Sequence, residues 1–232
     1  MTGKERLSVY LNSLEEEEDG LLGEIAEEAA ASSVPVIRKG TGGLLRTLLA
    51  LKRPERILEV GTATGYSALF MGSAMQEGCT ITTIEKDGRR VRTARENFRK
   101  AGMKDRITLL EGDAAEVLRT LEPPFDFVFM DAAKGQYLRF LPQVLRLLSV
   151  GGVLVSDNVL QGGDVLESRF AVSRRNRTIH GRMRRYLYVL THMEGLRTSV
   201  LPVGDGVTVS VKTGETKAEG IRTETGEGGC GL

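Results

Sequence analysis

Four polar residues near the ends of two predicted strands could together carry out chemistry. Asp131 and Lys134 lie in the segment DAAKGQY, and Asp157 and Asn158 lie in the segment SDN. Carboxylate and amide oxygens are hard donors that suit Mg²⁺ or a similar divalent cation, with waters or substrate oxygens completing the coordination. An Asp-Asn pair alone is equally typical of a turn after a buried strand. Because Asp131 and Lys134 accompany it, the pattern favours a metal site formed by Asp131, Asp157 and Asn158.

A second candidate site lies in the stretch RILEVGTATGYS, residues 56–67. Its apolar residues, followed by Gly61 and Gly65, predict a buried strand that turns sharply into a helix. Glycine there leaves room for a ligand close to the backbone, and the N–H groups that open the helix favour polar or anionic ligand groups. The spacing differs from the G-x-G-x-x-G of dinucleotide enzymes. With Glu59 before the turn and Glu85 after the next strand, the stretch resembles the S-adenosylmethionine site of class I methyltransferases.

Acidic residues mark the ends of the predicted strands, where ligands of open α/β sheets bind. The resemblance implies that Glu85, the acid at the second strand end, accepts hydrogen bonds from both ribose hydroxyls of the cofactor. A solvated strand-end acid is the alternative. Gly112, Asp113 and Ala114 would flank the adenine, although Asp113 fits a helix N-cap equally well. Ser67 is expected either to bond the amino-acid end of the cofactor or to cap its helix.

The apolar pattern from Arg56 onward alternates strand and helix, which implies right-handed βαβ units and a parallel sheet. Two last strands flank Gly204-Asp205-Gly206, a hairpin turn signal. The fold class predicted is α/β, a class I methyltransferase (Rossmann-like) fold whose mostly parallel seven-stranded sheet ends in an antiparallel hairpin. The predicted strands are 57–60, 80–84, 107–110, 125–130, 152–156, 198–203 and 207–212, and the helices between them are 66–75, 89–101, 115–121, 137–148 and 174–193.

The segments outside this alternation are predicted to be helical at the start and disordered at the end. Residues 4–32 indicate two helices broken near Gly20, and a third helix is predicted at 42–51. They have no sheet of their own, so residues 1–53 are expected to cover a methyltransferase core at 54–212. Residues 213–232 are rich in glycine and polar residues and have too few large aliphatic residues to offset their ordering entropy, so a disordered tail is predicted.

The composition excludes several classes of protein. Lys and Arg total 32 against 31 Asp and Glu, so no global charge argues for nucleic acid or membrane. Cys79 and Cys230 form neither a disulfide framework nor a metal spacing, which favours a reducing, cytoplasmic setting. No apolar run approaches the roughly 20 residues that a membrane span needs. Residues 1–19 are too charged for a signal peptide.

Residues 34–212 resemble the metal-dependent, catechol-type O-methyltransferase family, which includes catechol and caffeoyl-CoA methyltransferases. The resemblance implies that Asp131, Asp157 and Asn158 hold a divalent cation and that Lys134 lies beside the reacting hydroxyl, with Lys134 and Asp131 as catalytic residues. It also implies a homodimer. The alternatives from the residues alone are an enzyme that acts on a small catechol or phenolic ester and a non-catalytic binding module. The complete set of metal donors and the lysine argue against the module.

A closer resemblance is to bacterial tRNA 5-hydroxyuridine methyltransferases, through the segments VPVIRKG, DAAKGQY, SDNVL and LPVGDGV. It implies methylation of 5-hydroxyuridine in tRNA to 5-methoxyuridine. The residues that it places in the S-adenosylmethionine site are Ile37, Ser67, Glu85, Gly112, Asp113 and Asp131.

A basic block at residues 169–185 carries seven arginines and no acid. In a nearly neutral protein such a block could contact phosphates, although a solvated helix face has the same composition. His180 is predicted to be a surface residue of this helix. Tyr186 and Tyr188 are either core residues or residues that stack on bases, and the core is favoured. The arginines expected to contact tRNA are Arg174, Arg175, Arg177, Arg182, Arg184 and Arg185.

Overall fold

One seven-stranded sheet forms the centre of the computed structural model, which describes residues 3–15 and 17–216. Its strands are β1 Arg56–Val60, β2 Thr80–Glu85, β3 Ile107–Glu111, β4 Phe125–Met130, β5 Leu148–Ser156, β6 Leu196–Leu201 and β7 Val207–Lys212. Their spatial order is β3-β2-β1-β4-β5-β7-β6. The first five strands in this order are parallel, and β7 is antiparallel to both β5 and β6. The predicted sheet with a C-terminal antiparallel hairpin is therefore confirmed.

Eight α-helices lie within the described residues, and two of them begin away from their predicted positions. They are α1 Gly3–Ser13, α2 Gly20–Ala31, α3 Lys39–Lys52, α4 Tyr66–Ala74, α5 Gly88–Lys100, α6 Ala114–Thr120, α7 Tyr137–Leu147 and α8 Arg177–His192. Helix α3 starts before Gly42 because tertiary packing outweighs glycine's low helix propensity: a Cβ at Gly42 would lie 3.0 Å from Cζ of Phe70 on α4. Helix α8 starts only at Arg177.

Helices cover both faces of the sheet, as a parallel sheet requires. One face packs against α6, α7 and α8, with Phe125, Leu141 and Tyr186 among its fully buried residues. The other packs against α2 to α5, with Leu45 and Phe127 at its centre. Because α2 and α3 share this cluster with the strands, the N-terminal helices and the sheet have a common core.

The predicted disordered tail falls mostly outside the described residues, since 217–232 are not among them. Its first residues continue along the sheet end: the Thr213 N–H donates to the Gly195 carbonyl at 2.8 Å. Across the part of the chain that the structure describes, no helix is long and apolar enough to cross a membrane.

Two predictions about α8 are wrong. His180 is buried rather than on the surface, with 3% of its area exposed and Nε2 lying 3.1 Å from the Glu167 carbonyl oxygen. The segment after β5 folds back over this helix, and a helix-periodicity argument does not include that cover. Tyr186 is buried as predicted, but Tyr188 is 56% exposed and stacks on His192.

A fully buried glutamate, Glu59, joins β1 to its neighbours. Its carboxylate accepts hydrogen bonds of 2.5 Å from the hydroxyls of Ser67 on α4 and Thr83 on β2. The pKa of Glu59 is raised to about 7, mainly by burial and also by the charges of Asp131 and Glu85, while the two hydroxyl donors oppose the rise. The protein therefore holds a carboxyl group in its core that takes up a proton near neutral pH.

Because the pKa of Glu59 is raised, the folding stability of the protein is expected to depend on pH. A carboxyl pKa raised from 4.5 to about 7 contributes stability that is complete below pH 4.5 and is lost as pH rises through 7. Glu59→Gln removes this titration, so between pH 5 and 8 the free energy of unfolding of the wild type should fall about 2–3 kcal/mol further than that of the variant. Urea unfolding at several pH values measures the difference. Parallel pH profiles for the two proteins would contradict the assignment.

Candidate active site

The carboxyl ends of the parallel strands bring the predicted site residues to one edge of the sheet. The strand register pairs Val60 with Met130 and Met130 with Ser156. Asp131 and Asp157 are the next residues along their chains, and the Asp157 N–H donates to the Met130 carbonyl at 3.0 Å. Residues distant in sequence therefore meet because parallel strands end in one row.

Asp131, Asp157 and Asn158 form one hydrogen-bonded cluster. The side-chain amide of Asn158 donates to Asp131 Oδ1 at 3.0 Å, and its backbone N–H donates to Asp157 Oδ1 at 2.7 Å. Asn158 has a φ of +58°, a left-handed conformation that asparagine tolerates better than most residues. The Thr41 hydroxyl from α3 lies 3.5 Å from Asp157 Oδ1. The predicted metal donors are thus adjacent.

The electrostatics of this cluster fit a bound cation. Burial, together with the nearby charge of Asp131, raises the pKa of Asp157 to about 6. Burial also raises the pKa of Asp131, against the opposing effects of the Asn158 hydrogen bond and the Lys134 charge. A divalent cation would favour the charged form of both groups. Within residues 3–15 and 17–216 no three His, Cys, Asp or Glu side chains form a metal-binding group, so the donor set is two carboxylates and an amide.

A pair of buried tyrosines lies beneath the cluster. The Tyr137 hydroxyl is 2.9 Å from the carbonyl oxygen of Asp157 and 3.2 Å from that of Met130, so it bridges the ends of β4 and β5. Its ring packs edge-on against Tyr186, whose hydroxyl is 2.6 Å from Ser156 Oγ. The sequence interpretation used Tyr137 only as the start of a helix. Its place in DAAKGQY, six residues after the metal-donor candidate Asp131, is the signal that could have identified it.

Lys134 pairs with an acid that sequence reasoning did not select. Its Nζ lies 3.2 Å from Asp205 Oδ2, in the turn between β6 and β7. The same carboxylate accepts a hydrogen bond of 2.5 Å from the Gly162 N–H. Asp205 was interpreted only as part of a hairpin turn, and its spacing from Lys134 in the sequence carries no signal, because the strand order alone brings the turn to this edge.

The predicted cofactor residues lie around the β1–α4 turn. Glu85 is buried, and its carboxylate accepts backbone N–H groups from Ala63 at 3.0 Å, Lys86 at 2.8 Å and Asp87 at 2.9 Å. Ser67 neither caps its helix nor faces solvent, since its hydroxyl donates to Glu59. The solvated-acid alternative for Glu85 and the capping alternative for Ser67 are therefore wrong.

The glycines of the turn are required by the protein itself. Gly61 and Gly65 have φ values of +106° and +86°. A Cβ at Gly61 would lie 2.2 Å from the Asp131 carbonyl oxygen, and one at Gly65 would lie 2.6 Å from the Phe98 ring. Room for a ligand was the predicted reason for glycine here. The structure supplies a different one, the close contact of the turn with β4 and α5.

The other predicted cofactor residues differ in their surroundings. Asp113 caps α6 by accepting the Ala115 N–H at 2.8 Å, as one of its two interpretations required. Gly112 and Ala114 flank it at the end of β3, and both are partly exposed. Ile37 is 7% exposed and lies in the core cluster beside α4.

The basic block divides into two groups of arginines. Arg177, Arg182 and Arg184 donate to backbone carbonyls at 3.1 to 3.5 Å, so they are partly used to hold neighbouring segments. The carbonyl oxygens are those of Val172, Gly135, Val165 and Glu167. The remaining four, Arg169, Arg174, Arg175 and Arg185, are exposed and make no ion pair with any part of the chain that is described.

Known proteins match this chain over most of its length. A family model described as O-methyltransferase matches residues 12–213. The chain is 33% identical over 183 residues to a caffeoyl-CoA O-methyltransferase of Populus kitakamiensis, covering 76% of this chain and 77% of the relative. It is 31% identical over 169 residues to a catechol O-methyltransferase of Niastella koreensis, covering 70% of this chain and 76% of the relative.

Solved structures have the same fold and contain the cofactor or its product. The O-methyltransferase TomG of Streptomyces achromogenes, in complex with S-adenosylmethionine, superposes with a TM-score of 0.80 at 29% identity, covering 92% of this chain and 100% of that one. The SAH-bound methyltransferase PaMTH1 of Podospora anserina gives a TM-score of 0.80 at 28% identity, covering 90% and 94%. The chain therefore belongs to the O-methyltransferase family, and it is an S-adenosylmethionine-dependent enzyme of that family.

Proposed function

We propose that this enzyme methylates one of two adjacent oxygens on a small aromatic substrate, a catechol or a phenolic ester of the caffeoyl-CoA kind, with the help of Mg²⁺ or a similar cation. The observation that carries the proposal is the cluster of Asp131, Asp157 and Asn158 with Lys134 following on the same edge. A cation held by two carboxylates and an amide can take two neighbouring substrate oxygens as further ligands. The relatives named for catechol and caffeoyl-CoA support this substrate class.

The cofactor is proposed to lie along the turn between β1 and α4. Glu85, fixed by three backbone N–H donors, would accept a ribose hydroxyl at Oε2, which takes only one of those donors. Ser67 would contact the amino-acid end, with Glu59 behind it as hydrogen-bond acceptor. S-adenosylmethionine supplies a methyl group on a sulfonium. The rest of this site would be formed by Gly61, Gly65, Gly112 to Ala114 and Ile37.

The proton is proposed to leave the substrate through Lys134. A divalent cation held by Asp131, Asp157 and Asn158 would lower the pKa of a substrate hydroxyl beside it. Lys134 would accept the proton and then hold the oxyanion in line with the methyl group, while Asp131 faces both the cation site and the cofactor turn. The proton passes from the hydroxyl to the amine, and the oxygen forms the new bond as the carbon–sulfur bond breaks.

Removing either the metal or the amine should stop turnover. A chelator should abolish methylation of a catechol, and added Mg²⁺ should restore it, because the cation activates the hydroxyl. Lys134→Met should lower kcat by about 10² or more with cofactor affinity unchanged. Lys104→Met, a change of an exposed lysine at the opposite edge, serves as the control. Initial rates and calorimetry with S-adenosylmethionine measure these effects. Full activity in excess chelator would exclude the metal role, and wild-type rates for Lys134→Met would exclude the base.

A second candidate substrate is 5-hydroxyuridine in tRNA, which presents its 4-carbonyl and 5-hydroxyl side by side as a catechol presents its oxygens. The observation that favours it is the exposed group Arg174, Arg175 and Arg185. Exposed guanidinium groups can neutralise phosphates. For this substrate, Arg177, Arg182 and Arg184 would position the surrounding loop and share the phosphate contacts.

Salt dependence separates the two substrates. If the exposed arginines contact phosphates, changing Arg174, Arg175 and Arg185 to alanine should flatten the plot of log affinity for tRNA against log salt by about two to three units. Turnover of a catechol should not change, because these side chains do not reach the reacting oxygen. The control removes three exposed charges at the far ends of α5 and α6: Arg99, Lys100 and Arg119. Equal slopes for both triple variants and the wild type, or no tRNA binding, would leave the small phenol as the substrate.

A homodimer in the cytoplasm is the proposed state of the enzyme, and α1 supports the dimer. The large apolar residues of α1 and the residue after it are 52% to 64% exposed: Leu7, Val9, Tyr10, Leu11 and Leu14. An 11-residue helix is marginal in water without a packed face. A second copy of the chain would cover these side chains.

Charges on α1 should therefore dissociate the dimer. Light scattering after size exclusion should give twice the chain mass for the wild type, whereas Leu7→Glu combined with Leu14→Glu should give the monomer mass, because charges would be buried in an apolar interface. Leu51→Glu, on a side chain that is 78% exposed at the end of α3, should remain dimeric. A monomeric wild type, or a double variant that stays dimeric, would refute the proposal.

A further inference from the structure

The turn between β6 and β7 packs against the segment that follows the candidate metal donors. The backbone N–H groups of Val159 and Leu160 donate to the carbonyls of Gly206 and Asp205, both at 2.9 Å. Gly206 has a φ of +86°, and a Cβ there would lie 2.2 Å from Leu160 Cγ. The turn and residues 159–162 are therefore held together by backbone contacts that allow no side chain between them.

Asp205 extends this contact to Lys134. Its side chain is 12% exposed, which is unusual for an acid in a hairpin turn, and its two oxygens have different partners. Oδ2 lies 3.2 Å from Lys134 Nζ, and Oδ1 accepts the Gly162 N–H at 2.5 Å. The hairpin itself uses neither contact, because both partners lie outside β6 and β7. The carboxylate also lies close enough to Asp157 for its charge to raise the pKa of that group.

We propose that Asp205 is a positioning residue for methyl transfer, which acts by holding the Lys134 amine and the segment at Gly162 in one arrangement beside the substrate. The inference rests on the proposed role of Lys134. Lysine has four rotatable side-chain bonds, and a fixed acceptor removes the freedom that would otherwise take the amine out of reach of the reacting hydroxyl. Arg182 donates to the carbonyl of Gly135, the residue after Lys134, at 3.1 Å, so it fixes the segment that carries the amine.

A carboxylate at the opposite edge of the sheet provides a matched control. Asp126 accepts the backbone N–H groups of Glu55 and Arg56 at 2.9 and 3.0 Å. Asp126→Asn therefore changes a carboxylate that also links two segments by hydrogen bonds, at a distance from the site. Asp205→Asn keeps an oxygen that can accept the Gly162 N–H but removes the charge that pairs with Lys134, and Asp205→Glu keeps the charge.

The test measures turnover and the state of Lys134 separately. Asp205→Asn should lower kcat about tenfold, the value of one charge-assisted hydrogen bond, with S-adenosylmethionine affinity unchanged. In metal-free Asp205→Asn, Lys134 should be acetylated several-fold faster than in the metal-free wild type, because the amine has lost its partner. Mass spectrometry measures this rate. Asp205→Glu should restore part of both values, and Asp126→Asn should change neither.

The outcomes distinguish this inference from the function on which it rests. Wild-type kcat in Asp205→Asn, or a lower kcat with an unchanged acetylation rate at Lys134, would overturn the positioning role. Wild-type turnover in Lys134→Met would instead refute the proposed base, while the acetylation rates would still report whether Asp205 holds the amine. If Asp205→Asn does not fold, kcat and the acetylation rate of Lys134 are measured in Asp205→Glu and Asp205→Ser instead. Wild-type values in Asp205→Glu support the inference only if both values change in Asp205→Ser.

Discussion

The parallel register of β1, β4 and β5 is the constraint on which the site depends. Val60, Met130 and Ser156 lie in one row across these strands, so the next residue of each chain emerges at the same edge. Gly61 makes the row compact, since its backbone lies directly against the Asp131 carbonyl. A shift of one residue in either pairing would turn the following carboxylate to the other face of the sheet. The chemistry is thus specified by apolar strands that never contact a substrate.

The fold and much of this edge could be predicted from the sequence, because they follow from local patterns. The alternation of apolar strand and helix segments predicted the sheet. The acids at the strand ends identified Glu85, Asp131 and Asp157 as candidate site residues. The contact of Asp205 with Lys134 could not be predicted, because it depends on β7 lying between β5 and β6. The burial of His180 was missed for a similar reason: it contacts the Glu167 carbonyl, in a segment whose path has no periodic signal.

The arginines of the basic block have different roles, although their composition suggested a single one. Its charge suggested one phosphate-binding surface, but Arg182 fixes the segment beside the candidate base and Arg184 holds the segment over α8. A guanidinium group has five donors, so it can satisfy backbone carbonyls that an irregular segment leaves without partners. Counting arginines in a sequence therefore cannot separate those that build a loop from those that face a ligand.

The position of β7 has a consequence for the order in which the protein is made. This strand enters the sheet between β5 and β6, although it is the last of the seven to be synthesised. Until it leaves the ribosome, β5 has an open edge, and Lys134 lacks the acid that follows β6. Domains fold as units during synthesis, and unpaired strand edges attract other chains. The nascent enzyme thus carries nearly all of its site residues while its sheet is still incomplete.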